Sequence, residues 1–228
     1  MNVDIQIPTS LDEITLGQYQ EYLKVVDQNK DEEFIAQKMI SIFCNIKMSY
    51  VQMIKYSDAV AIIESLTKMF ENKPKLVQRF KLSDMEFGFI PNLEDMSFGE
   101  YIDLETTIGN WETMNKAMAV MYRPVIKTKK EQYEIAKYTG TEALEEAMKF
   151  APMSAVFGSM LFFWNLSNDL LMATMDYLKE EVTEMTIQQK HNLEANGDGI
   201  IQSIQSLKET LHDLMQLPSY QLGNALHT

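Results

Sequence analysis

The chain has 228 residues, of which 46% are hydrophobic and 23% charged, and its formal net charge is −13 at pH 7. This length and apolar content are sufficient for a globular domain with a sizeable core, and the acidic balance argues against a protein that grips nucleic acid or an anionic membrane through charge. Glycine and proline are scarce, with 9 and 6 residues, which favours a helix-rich chain over one with many turns.

The first predicted helix begins inside a short internal repeat. Residues 7–19 read IPTSLDEITLGQY and residues 90–101 read IPNLEDMSFGEY, and the two align with one gap. Thr15 and Ser97 each occupy an N-cap position, with Gln or Glu three residues later, which is the spacing of a capping box. An apolar residue before each cap and a tyrosine four residues after it predict a hydrophobic staple. Two helices that begin in the same way explain the repeat more simply than a duplication does.

Two amphipathic helices are expected between the copies of the repeat. Apolar residues recur at helical spacing over residues 35–46 and again over residues 62–70. The only cysteine, Cys44, lies in the apolar run ISIFCNI, where a small buried hydrophobe is expected rather than a reactive thiol. A single cysteine also excludes a disulfide within this sequence and is typical of a reducing compartment.

The middle of the chain alternates between strand and helix signals. Residues 76–90 show the apolar and polar alternation of a β-hairpin, and a helical stretch over 98–121 follows. Residues 124–138 hold two short β-prone pieces around a lysine-rich turn, for which a second hairpin and an exposed loop fit equally well. An acidic helix over 141–150 and a long helix from 152 to about 182 complete the predicted core.

The apolar residues of these helices are expected to fill the core. The most hydrophobic stretch, residues 151–166, is shorter than the roughly 20 residues that a bilayer span needs, and the N-terminus lacks the basic and apolar regions of a signal peptide. The 17 methionines lie mostly in apolar stripes, where their flexible side chains suit irregular packing. We therefore expect buried positions for Met39, Met69, Met118 and Met160.

A polar C-terminal arm is predicted to follow the helical core. We assign residues 1–182 to the core domain and residues 183–228 to a polar connection and an amphipathic helix, with a break at the Asn-Gly-Asp-Gly of residues 196–199. Folding back onto the chain's own core and docking on another subunit both fit this helix, and we expect it to contact neighbouring subunits. Its apolar stripe, called the C-terminal seam below, consists of Leu193, Ile200, Ile204, Leu207, Leu211 and Leu214. The predicted fold class is thus mainly α, a helical core with one or two small β-hairpins and a C-terminal helical arm.

No familiar catalytic motif occurs in the sequence. It has no glycine-rich phosphate loop, no HExxH, no paired Cys-x-x-Cys and no Gly-x-Ser-x-Gly. The three histidines all lie in the polar arm at spacings that match no metal site, so we expect neither a metal nor a cofactor: His191, His212 and His227. The acidic pairs are expected to form solvated helix faces.

The alternative hypothesis of a small enzyme would rest on an unrecognised site. Only two residues of the chain are arginine, and one of them, Arg123, lies between Tyr122 and Pro124 and close in sequence to Tyr133. Tyr122, Arg123 and Tyr133 are the first candidates for such a site. For Arg123 we instead expect a structural ion pair, or capping of backbone carbonyls before the proline.

The chain nevertheless resembles a known group of proteins through several strings that occur in the same order over roughly residues 7–180. These strings are IPTSLDEITLGQYQEYL, LEDMSFGEYIDLE, KAMAVMYRPV, EQYEIAKYTG and PMSAVFGSMLFFW. Together they resemble tail-region virion proteins from bacteriophages of Bacteroidota hosts, which include the crAss-like phages. The C-terminal arm does not take part in this resemblance.

The resemblance implies a non-enzymatic protein of the virion, located in the portal and tail region after synthesis in the bacterial host cytoplasm. It would be either a cargo protein stored in the tail or a structural subunit of a tail ring, present in several copies. Its partners would be portal, tail ring or tail barrel subunits, without sequence-specific contacts to nucleic acid. A tail-assembly chaperone is a third option, and a host-directed inhibitor would share the acidic surface and the lack of catalytic motifs.

Overall fold

A computed structural model describes residues 5–130 and 132–184 of the chain. It confirms a mainly helical fold with small β-hairpins. Single-turn 3-10 helices at Leu11–Glu13, Leu93–Asp95 and Trp111–Thr113 accompany the longer elements. The helices are α1 (Leu16–Gln28), α2 (Glu32–Phe43), α3 (Met48–Val51), α4 (Tyr56–Phe70), α5 (Phe98–Thr107), α6 (Met114–Met121), α7 (Glu145–Met148) and α8 (Met153–Glu184), and the strands are β1 (Arg79–Leu82), β2 (Met85–Phe89), β3 (Tyr122–Lys129) and β4 (Gln132–Ile135).

The hairpin predicted over 76–90 is present, a second hairpin follows it, and the two join into one antiparallel sheet with strand order β1-β2-β3-β4. The region over 124–138 is thus a hairpin and not a loop, with β3 already beginning at Tyr122. Strand β2 pairs with β3, which places Phe89 opposite Tyr122 and Phe87 opposite Pro124. The sequence predicted separate hairpins, because pairing between them joins residues more than 30 positions apart and leaves no local pattern.

Aromatic side chains on one face of the sheet form part of the hydrophobic core. Phe80 and Phe89 pack against Tyr122, and Phe89 also contacts Phe162 and Phe163 of α8. On the helical side, fully buried Tyr19 contacts three further rings, those of Phe70, Trp111 and Phe157. Edge-on and tilted ring contacts of this kind are favourable beyond the area that they bury.

The sulfur-containing side chains lie where the sequence predicted them. The four methionines expected in the core, Met39, Met69, Met118 and Met160, are all buried. Cys44 is also buried, and this burial raises the pKa of its thiol to about 11. The thiolate is the reactive form of cysteine, and a raised pKa lowers the fraction of thiolate near neutral pH. This agrees with the prediction that Cys44 is a buried hydrophobe and not a reactive thiol.

The first copy of the repeat begins α1 with the predicted capping box. The Thr15 hydroxyl accepts from the Gln18 backbone N–H at 3.2 Å, and the Gln18 side chain accepts from the Thr15 N–H at 3.0 Å. Two further N–H groups at this helix start, those of Leu16 and Gly17, donate to the carbonyls of Ala151 and Lys149. These bonds tie α1 to the connection between α7 and α8, and they satisfy amides that a helix start would otherwise leave unpaired.

The second copy begins α5 with the same box in a different environment. The Glu100 amide donates to the Ser97 hydroxyl at 3.3 Å, and the Glu100 carboxylate accepts from the Ser97 N–H at 2.7 Å. Tyr19 of the first copy is fully buried, whereas Tyr101 of the second is 53% exposed. The similar sequences therefore encode the same helix cap but not the same packing.

Two of the predicted helices are shorter than expected. The helix predicted over 98–121 is divided into α5 and α6, because the chain turns at Gly109 and Asn110 and the Asn110 side chain accepts from the Glu112 N–H at 2.9 Å. This bond begins a 3-10 turn in place of a continued α-helix. Of the helix predicted over 141–150, only the single turn of α7 forms.

The long predicted helix from residue 152 is confirmed as α8, which reaches Glu184. Among the described helices, none is both long and apolar enough to cross a membrane. The C-terminal seam and the three histidines lie outside the described residues, so their contacts stay predictions.

Candidate functional site

The structure does not bring the three residues of the hypothetical enzyme site together. Tyr122 and Arg123 are successive residues of β3, so their side chains lie on opposite faces of the sheet. Tyr122 is fully buried in the core, where its hydroxyl donates to the Val77 carbonyl at 2.7 Å. Tyr133 crosses the opposite face, and its hydroxyl donates to the Phe89 carbonyl at 2.8 Å. Both phenols thus bind the backbone of the chain itself.

Tyr133 covers a glycine in the neighbouring strand. A Cβ atom added to Gly88 would lie 2.5 Å from the Tyr133 ring, so only glycine leaves room for it. The Arg79 guanidinium lies over the Tyr133 ring, 5.6 Å from the ring centre. Burial raises the pKa of Tyr133, and the positive charge of Arg79 opposes the shift only in part. An aromatic side chain that covers a strand glycine stabilises the sheet locally.

Arg123 forms the structural ion pair that the sequence predicted. Its Nη2 lies 2.5 Å from Oε1 of Glu100, and the two side chains are only 8% and 7% exposed. The other carboxylate oxygen of Glu100 accepts from the Ser97 N–H, so Glu100 serves both the helix cap and the ion pair. A buried charge needs this kind of compensation, because removal from water costs several kcal/mol per ion.

A tyrosine and an aspartate extend this polar cluster. The Arg123 guanidinium lies 5.7 Å from the centre of the Tyr138 ring, and the Tyr138 hydroxyl donates to the Asp103 carboxylate. Burial, followed by that hydrogen bond and nearby carboxylates, raises the pKa of Tyr138. The cluster of Glu100, Asp103, Arg123 and Tyr138 joins α5 to β3 and to the segment after β4. The carboxylates of Glu100 and Asp103 both have partners in this cluster, whereas Nε of Arg123 is buried with no hydrogen-bond partner among the described residues.

A concave apolar surface lies between α5 and α8, with a volume of about 230 Å³. We call it the α5–α8 groove. Trp164 contributes to it, and the Trp164 indole N–H is buried without a hydrogen-bond partner within the part of the chain that the structure describes. The groove is lined by Met96, Tyr101, Leu104, Glu105, Ile108, Met160, Phe163, Trp164 and Ser167.

Next to the groove, α5 also exposes apolar side chains to solvent. Phe98 is 77% exposed and Ile102 is 41% exposed, and the two are one helical turn apart. We call this pair the α5 face. The sequence analysis missed it, because residues 98–102 were interpreted as part of a cap and staple. The predicted staple residues Met96 and Tyr101 both line the groove.

Within residues 5–130 and 132–184, no group of three or more His, Cys, Asp or Glu side chains is arranged to hold a metal ion. The polar groups with raised pKa values in these segments are Cys44 and tyrosines, and burial is the largest cause at each of them.

Comparison with known proteins adds no family assignment. A scan against protein-family models found no match, and searches of curated proteins and of solved structures found no significant match.

Proposed function

We propose that the chain is a non-enzymatic component of a bacteriophage virion in the portal and tail region, either a tail-stored cargo protein or a structural ring subunit. It contacts portal, tail ring or tail barrel subunits and is present in several copies. The proposal is supported by the ordered strings over residues 7–180 that resemble such proteins, and by a structural feature that suits protein–protein contact.

That feature is the α5 face together with the α5–α8 groove. Large apolar side chains that lie together on a surface mark protein interaction sites, whereas single ones are common everywhere. Phe98 and Ile102 are one turn apart on α5, and each precedes by three residues a residue that lines the groove, Tyr101 and Glu105 respectively. Burial of a Phe or Ile side chain contributes about 1.5–3 kcal/mol, so covering this pair would favour the binding of a partner.

The geometry around Arg123 supports a binding role over the alternative of a small enzyme. The Arg123 guanidinium pairs with Glu100, and the hydroxyls of Tyr122 and Tyr133 donate to backbone carbonyls. A catalytic group must reach substrate and exchange protons near neutral pH. Burial instead raises the pKa values of Tyr122 and Tyr133, which moves them further from neutral pH.

The experiment is to supply variants of the chain to a phage that lacks its own copy and to measure their incorporation into purified particles. The double variant Phe98→Asp with Ile102→Gln removes the α5 face, and Asp in the first turn of a helix is favourable for folding. Its matched control is Met53→Asp with Tyr56→Gln, which replaces two other exposed side chains that are 73% and 86% exposed.

We expect the α5 variant to be depleted from particles on the order of 100-fold, since about 3 kcal/mol of apolar contact is lost. The control variant should be incorporated like the original chain. Equal incorporation of both variants would refute the role of the α5 face. Absence of the original chain from mature particles would contradict the proposal, and its presence in assembly intermediates would then indicate a chaperone.

A further inference from the structure

The residues that line the α5–α8 groove occupy one face of each helix. From Tyr101 to Ile108 along α5, and from Met160 to Ser167 on α8, they follow one another at steps of three, one and three residues. The groove volume of about 230 Å³ lies below the roughly 300–1,000 Å³ of a pocket for a drug-sized ligand. The groove therefore suits a few side chains of a partner chain better than a cofactor-sized molecule.

The charges beside the groove are negative. Glu105 is the one charged residue of its lining, and exposed Glu94 and Asp95 directly precede Met96, which also lines it. Residues 153–168 of α8 contribute no charge at all. Residues 90–113, which comprise α5 and both its flanks, contain six acidic residues and no lysine, arginine or histidine: Glu94, Asp95, Glu100, Asp103, Glu105 and Glu112.

The acidic residues closest to the groove in sequence are not neutralised within the described chain. Glu100 pairs with Arg123, and Asp103 accepts from the Tyr138 hydroxyl. In contrast, Glu94, Asp95 and Glu105 form no ion pair with any residue that the structure describes. These three carboxylates are exposed and therefore attract cations of a partner.

Trp164 adds a requirement for a hydrogen-bond acceptor. Its indole N–H is buried and has no partner among residues 5–130 and 132–184. An indole N–H can only donate, and a buried one usually finds an acceptor. A backbone carbonyl or a side-chain oxygen of the bound segment would meet this need.

We propose that the α5–α8 groove binds a short basic and apolar segment of a partner protein. Apolar side chains of the segment enter the groove, its lysine or arginine side chains lie beside Glu105, and one of its oxygens accepts from Trp164. The inference rests on the proposed function, which it deepens by naming the chemistry of the partner. A second copy of this chain fits less well, because two chains of net charge −13 repel each other.

The test uses the isolated full-length protein and labelled synthetic peptides of about 14 residues, a length typical of segments that occupy a groove. The probe peptide consists of leucine and lysine. One control peptide replaces each lysine by glutamate, and the other replaces each leucine by serine. Fluorescence anisotropy at low ionic strength measures binding, and we expect the probe to bind at least about 10-fold more tightly than either control.

Three variants of the protein locate the binding site. Glu105→Lys reverses the charge of the groove, and its matched control Glu64→Lys reverses that of an exposed glutamate on α4. Both variants change the net charge equally, so attraction to the whole protein is affected alike. We expect Glu105→Lys to weaken binding of the probe about 10-fold more than Glu64→Lys does. Trp164→Phe keeps an aromatic ring without the N–H and should weaken binding roughly 2- to 10-fold.

Four results would overturn the inference. They are equal binding of the three peptides, equal losses from Glu105→Lys and Glu64→Lys, no effect of Trp164→Phe, and no binding of the probe up to about 1 mM. A dimer in sedimentation experiments that Glu105→Lys dissociates would instead identify a second copy as the occupant. Because no phage particle is involved, such a failure leaves incorporation into particles unaffected, whereas absence from particles refutes the proposed function whatever the peptides do.

Discussion

The buried ion pair between Arg123 and Glu100 makes a quantitative prediction about stability. Arg123→Met removes the cation and leaves the Glu100 carboxylate, whose side chain is 7% exposed, with the Ser97 N–H as its hydrogen-bond donor among the described residues. An uncompensated buried charge is costly, so the free energy of unfolding should fall by about 3–5 kcal/mol.

The internal repeat supplies the compensating substitution. Gln18 performs the same capping role in α1 that Glu100 performs in α5, without an arginine partner. Glu100→Gln therefore preserves the cap and removes the charge. The double variant Glu100→Gln with Arg123→Met should lose less stability than the sum of the two single variants by at least about 1 kcal/mol.

Equilibrium unfolding in urea, followed by circular dichroism, measures these free energies. The matched control is the exposed ion pair of Lys127 and Glu134 in the same sheet, whose atoms are 2.9 Å apart and whose side chains are 65% and 62% exposed. Lys127→Met should cost less than about 1 kcal/mol, because solvent screens the pair. The reasoning is refuted if the single losses at Arg123 and Glu100 simply add, or if Arg123→Met costs no more than Lys127→Met.

Three further predictions concern the caps, the covered glycine and the cysteine. Thr15→Ala and Ser97→Ala should each lower the free energy of unfolding by about 0.5–2 kcal/mol, and unchanged urea midpoints would show that the side-chain caps contribute nothing. Gly88→Ala should lower the free energy of unfolding by about 1–3 kcal/mol, because the new methyl group meets the Tyr133 ring. If Gly88→Ala lowers it by the same amount in the original protein and in a Tyr133→Ala variant, the clash is not the cause. Burial raises the pKa of Cys44 from 9.0 to about 11, so the unfolded state loses this proton first and the free energy of unfolding should fall as pH rises from 9 to 11. That pH-dependent loss should be smaller in Cys44→Ala, and an identical pH profile would contradict the assignment.

The parts of the fold that depend on neighbouring residues were predictable from the sequence. The capping boxes follow from residue types three positions apart, and the first hairpin follows from alternation around a short turn. For residues 124–138 the same local signals fitted a hairpin and a loop equally well. The pairing of β2 with β3 was not predictable in this way, because its residues are far apart in sequence. The sequence predicted one helix over 98–121 because its apolar residues recur at helical spacing throughout. The break at Gly109 and Asn110 depends on a hydrogen bond from the Glu112 N–H to the Asn110 side chain, which that spacing does not indicate.

The candidate site was predictable only in part for the same reason. The scarcity of arginine identified Arg123 and its ion pair, but not Glu100 as the partner, which lies 23 residues earlier on another element. The α5–α8 groove depends on how two distant helices lie against each other, so no sequence pattern indicated it. Its nearest sequence signal was the presence of apolar residues on two sides of α5, namely Phe98, Tyr101 and Ile102 in addition to Leu104.

The most direct test of the proposed function is the copy number of this chain in purified phage particles, measured by quantitative mass spectrometry against the portal protein. The proposal predicts that the chain remains with the particles through density-gradient purification, in several copies per particle and in a constant ratio to the portal. Its absence from particles whose portal protein is readily detected would contradict the proposal.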